Sequence, residues 1–167
     1  MKAYQVFARM SPERAHALLE ALREGAPAVY GQALAAASVW LRARPQFVRK
    51  QSPDKRAKLV RQALARVSTS IVAEEVLAAY FLQVKKPLLV EWLDAIGVAH
   101  KDGGLEQDAP PQPERGVLEQ ALAAYRAKPD DAADRALLLE AFAAQSAIDW
   151  PALEELIGSG DVRQKVK

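Results

Sequence analysis

The chain contains no cysteine. That removes disulfides, thiolate metal sites and a cysteine nucleophile together. Histidine is nearly as scarce, with only His16 and His100. No His-Glu-x-x-His pattern is present, and the sequence implies no metal and no cofactor. Glycine is thin, 8 residues in 167, and none of it forms a phosphate-cradling loop or a Gly-x-Ser-x-Gly elbow. The Met1–Val6 segment lacks the apolar core of a secretory signal. No apolar run is read as reaching the roughly 18 residues of a membrane span. These absences give the expectation of a cytoplasmic, non-catalytic protein without membrane contact.

What is present is alanine, leucine and punctuation. Half the residues are apolar, and Ala and Leu lose little side-chain entropy in a helix. Proline marks the starts. Ser11-Pro12 opens a helix to about Arg23, stopped at Gly25. Pro27 to Arg42 is apolar almost all round, the pattern of a helix buried in the middle of a bundle. Arg44-Pro45 breaks it. Ser52-Pro53 restarts a helix with Leu59, Val60, Ala63, Leu64 and Val67 on one face, and Lys55, Lys58, Arg61 and Arg66 on the other. A further apolar helix runs from Ile71 to about Gln83, and a short one opens at Pro87. After a linker, helices are expected at about Glu114–Ala127, Ala132–Ser146 and Asp149–Gly158.

The fold class is therefore all-α, a single domain of about seven or eight helices. The second part also reads as a repeat of two three-helix units. Pro53 to Gly97 and Pro113 to Gly158 each open on Pro, carry Gln-Ala-Leu (62–64 and 120–122) and close on Ile-Gly. This order suits stacked helical units. The implied organisation is 1–97 for the N-terminal helices and first unit, 98–112 for a linker, 113–158 for the second unit, and 159–167 for a flexible tail. Trp92 and Trp150 lie on short helices that need a large buried residue, and are read as core anchors.

Charge is divided unevenly. Residues 1–66 carry 13 Lys/Arg against 4 Asp/Glu, and residues 67–167 carry 10 against 17. Between Leu41 and Arg66 there are nine basic residues and one acid, Asp54. Lys55, Arg56 and Lys58 stand near a helix start, where cations oppose the helix dipole at about 0.3–1 kcal/mol each. Residues set against a local rule point to a partner.

The candidate binding set is Arg42, Arg44, Arg49, Lys50, Lys55, Arg56, Lys58 and Arg61. The function it implies is protein–protein interaction or scaffolding with an acidic partner, or self-association between basic and acidic halves. Nucleic-acid binding by the same residues is the alternative. A second alternative is a small-molecule or catalytic site at the 98–108 loop, where His100 and Asp102 neighbour each other in a Gly-containing turn. His16 has no acidic neighbour in sequence suited to a metal site.

Overall fold

The structure is a computed structural model. It describes residues 1–164, with side chains as far as Gly158. The chain is all-α, with ten helices and one two-stranded hairpin among the described residues. Two compact units are present, residues 2–84 and residues 85 onward, with Met1 grouped in the second. The boundary falls between Val84 and Lys85, inside the 53–97 stretch. The helices of that stretch find different partners. α5 (Pro53–Leu64) packs against α2 (Pro12–Gly25) and α3 (Pro27–Leu41), whereas α7 (Lys86–Ala95) packs against α8 (Arg115–Ala127) and α9 (Ala132–Ala143).

Proline at the first helical position starts α2, α3, α4 (Pro45–Arg49), α5 and α10 (Pro151–Gln164). Its missing N–H costs nothing there, and its φ is already helical. In the first unit α1 (Ala3–Arg9) and α6 (Ser70–Ala79) complete the set, and α6 runs on into a π-helical turn at Tyr80–Val84. Ala15, Leu18, Leu22, Val60, Ala63, Leu64, Val76 and Leu77 fill its core. The α2 terminus approaches that turn closely: a Cβ on Gly25 would stand 2.9 Å from Val84 Cγ2.

Four features of the first unit differ from the sequence reading. Helices α1 and α4 are unheralded, because at 7 and 5 residues they show too little periodicity. Val67 does not share the buried face of α5. The helix ends at Leu64, and Val67 begins a 3-10 turn, 71% exposed. Nor is α3 buried all round: Ala33, Leu34, Ala37 and Ser38 face the core, while Val39 is 78% exposed. Finally, the 67–84 stretch does reach span length, 18 residues at mean hydropathy 1.3. Six of its residues, from Ala73 to Phe81, lie in the protein core.

In the second unit Trp92, Tyr125, Phe142 and Trp150 form a chain of aromatic contacts at 5.5–6.2 Å between ring centres. Both tryptophans are buried, as expected of core anchors. The 98–112 stretch is more than a loop. β1 (His100–Lys101) and β2 (Gly104–Leu105) pair antiparallel across Asp102-Gly103, both at positive φ. This is the two-residue Asp-Gly turn whose twist matches paired strands. Trp150 Nε1–H then donates to Pro110 O at 2.9 Å and holds the end of the stretch.

The two Ile-Gly endings are not equivalent. Gly97 has φ 69°, with Val98 N–H on Leu93 O and Gly97 N–H on Asp94 O, a Schellman stop for α7. Gly158 lies inside α10, which continues to Gln164 rather than ending there. The expected tail 159–167 thus begins as helix, and its last three residues and its side chains lie outside the described part.

Candidate functional site

The basic stretch occupies the end of α3, all of α4 and α5, and the turns between them. Burial of Val48 on α4 and of Ala57, Val60, Ala63 and Leu64 on α5 fixes which way these short helices face. Ser52 Oγ accepts from Lys55 N–H at 3.4 Å, and Pro53 sets the first turn. Arg42, Arg44, Arg49, Lys50, Lys55 and Lys58 consequently lie exposed. None of these six side chains has a carboxylate partner among the described residues.

Arg56 and Arg61 are placed otherwise. Arg56 Nη1 donates to Arg49 O at 2.9 Å, and its Nη2 lies 3.8 Å from Glu20 Oε1. Arg61 Nη1 donates to Met10 O at 3.2 Å and Phe7 O at 3.5 Å. It thereby satisfies carbonyls that the end of α1 leaves without helical partners. These two of the eight candidates hold helices together. Arg66 lies over the Trp40 ring, 5.4 Å from its centre.

The one acid of the stretch is engaged as well. His16 Nδ1 lies 2.6 Å from Asp54 Oδ1. An exposed ionised carboxylate only accepts, so Nδ1 carries the hydrogen. The pair joins the second turn of α2 to the first turn of α5, beside Lys55 and Lys58 in a shallow groove. Sequence reasoning missed it because 38 residues separate the partners, and only the α2–α5 packing brings them together.

In the second unit most of the described cations have carboxylate partners, with Lys101 and Arg126 as the exceptions. Arg135 is 4% exposed and bidentate on Glu91, at 3.0 Å for each nitrogen. It also bonds Asp130 through both side chain and carbonyl, and its guanidinium lies 4.6 Å from the centre of the Tyr125 ring. Arg135 holds the Glu91 carboxyl below the ordinary range, and also that of Asp130. Lys128 joins Glu91 at 2.6 Å, and Lys85 pairs with Asp131 and Asp134. Asp134 and, to a smaller degree, Asp131 raise the Lys85 ammonium above its usual value. At the surface Arg115 pairs with Glu155 and Glu119.

His100 and Asp102 do not converge. Gly103 N–H donates to His100 Nδ1 at 3.2 Å, so Nε2 carries the hydrogen toward Asp94 Oδ1 at 3.0 Å. Asp102 instead pairs with Lys86 at 2.9 Å. Both ring nitrogens and the carboxylate stabilise the hairpin against α7. Among the described residues no three His, Asp or Glu side chains cluster as a metal site would need. No protein-family model, no curated protein and no solved structure matches the chain.

Proposed function

We propose that the chain is a non-catalytic helical interaction module, and that its 42–66 surface holds an acidic partner protein. One observation carries this reading. Arg42, Arg44, Arg49, Lys50, Lys55 and Lys58 stand exposed without a carboxylate within one short stretch, while five of the seven described cations after residue 84, Lys85, Lys86, Arg115, Lys128 and Arg135, each have one and only Lys101 and Arg126 do not. Asp54, the one acid among nine basic residues from Leu41 to Arg66, offsets only a single charge of the surface. Six exposed cations on two short helices and the turns beside them attract carboxylates. They steer encounter over about a Debye length, roughly 8 Å at physiological salt.

The test is charge reversal at positions the packing does not use. Arg49, Lys50, Lys55 and Lys58 are changed together to Glu, leaving Arg56 and Arg61 intact. The expected result is an unchanged helical spectrum and melting point within a few degrees, with loss of the proteins retained by the wild type at low salt. Recovery of the same proteins by the reversed variant would refute the reading. Retention of DNA or RNA fragments with a steep salt dependence would transfer the surface to nucleic acid.

A further inference from the structure

Beside the basic surface, α3 and α6 leave an apolar groove uncovered. It is lined by Ala35, Ala36, Val39 and Trp40 from α3, and by Val72 and Glu75 from α6. Val39 is 78% exposed and Ile71, on the first turn of α6, 75%. Val39 belongs to that lining, whereas Ile71 stands outside it, one helical turn before Glu75, which does line the groove.

Charge says what kind of partner suits the groove. The lining of Trp40 together with Ser68 and Thr69 puts the α3 C-terminus and the α6 start at one end. That end is basic. Arg66 stacks on Trp40, and Arg42 caps α3 two residues after Trp40. Arg42 sits at φ 51° in the position that favours glycine, with Ala43 N–H on Ser38 O and Arg42 N–H on Val39 O. Neither arginine is part of the lining itself, whose one charged residue, Glu75, stands with Gln32 at the other end. From Gln32 to Trp40 the groove follows about 12 Å of helix, slightly over two turns.

Resting on the acidic-partner reading above, we infer that the α3–α6 groove holds an amphipathic helix of the partner. Its apolar stripe, at i, i+4 and i+7, lies on Val39, Trp40 and Ile71, and its carboxylates meet Arg42 and Arg66 at one end. This deepens the proposed function by naming the shape of the partner element as well as its charge.

The experiment is selection of displayed 16-residue helical peptides on the full chain. A synthetic peptide of the enriched consensus is then titrated by fluorescence anisotropy. The expected consensus has apolar residues at helical spacing with Asp or Glu at one end. Its binding should fall at least tenfold for Val39→Glu/Ile71→Glu and for Arg42→Glu/Arg66→Glu, each folded by its helical spectrum. An acidic consensus without apolar spacing, or one indifferent to Val39→Glu/Ile71→Glu, would overturn the groove inference while leaving the basic surface standing. A neutral or basic consensus would overturn both, and no enrichment would overturn the groove. Light scattering of a wild-type dimer that Val39→Glu/Ile71→Glu dissociates would give the groove to a second copy. Sedimentation with phosphatidylserine vesicles, lost in the same variant, would give it to a lipid surface. Either result also overturns the inference.

Discussion

Arg135 shows how a single residue organises the second unit. A guanidinium almost wholly removed from water is tolerated because two carboxylates and a carbonyl meet it with good geometry. Removing Glu91 leaves that cation with half its compensation. Glu91→Ala should therefore destabilise the protein by about 3 kcal/mol, read from urea midpoints. The pH sign comes from the same contact. The Glu91 and Asp130 carboxyls are held lower folded than unfolded. Their stabilisation is complete above the unfolded values near 4 and is lost as pH falls through the folded ones. Unfolding free energy should decline from pH 5 to pH 3, and less steeply in Glu91→Gln. An equal slope in both would contradict the assignment. Arg42 makes a second residue-scale case. Arg42→Gly relieves the left-handed strain and should raise stability by about 0.5–1 kcal/mol, seen as a higher melting temperature. A lower one would mean that the cation matters more to the α3 terminus than the backbone does.

At the scale of elements, prolines and serine caps make the starts of α2, α3 and α5 readable, because capping is local chemistry. Stops are less legible. Ile96-Gly97 and Ile157-Gly158 are identical dipeptides, yet one terminates a helix and the other lies within one. The difference lies in the residue after the first glycine: Val98 N–H closes back on Leu93 O, a bond the dipeptide alone does not encode. Alanine substitution separates the two. Gly97→Ala should cost about 1 kcal/mol, since its φ is positive. Gly158→Ala should gain about 0.5–1 kcal/mol, since a Cβ there meets nothing within 4 Å. Thermal melts that move the same way for both would refute the assignment. The Asp102-Gly103 hairpin is legible in principle from its dipeptide, but its strands are two residues each and carry no alternation.

For the whole molecule, the all-α class is readable from composition, and the candidate site only in part. Clustering of cations along 42–66 is a property of the sequence. Which of them are free depends on packing: nothing local tells that Arg61 reaches back to α1, or that His16 takes Asp54. The uncovered α3–α6 groove is likewise out of reach, because apolar all-round composition reads as burial. The central claim is that the remaining cations face an acidic protein. The most direct measurement is zero-length coupling of lysine amines to carboxylates in native extract with the full chain as bait, mapped by mass spectrometry. The account predicts intermolecular links concentrated at Lys50, Lys55 and Lys58, absent at Lys85, Lys86 and Lys128, and weakened by salt. Links spread evenly over both sets, or confined to the second, would contradict it.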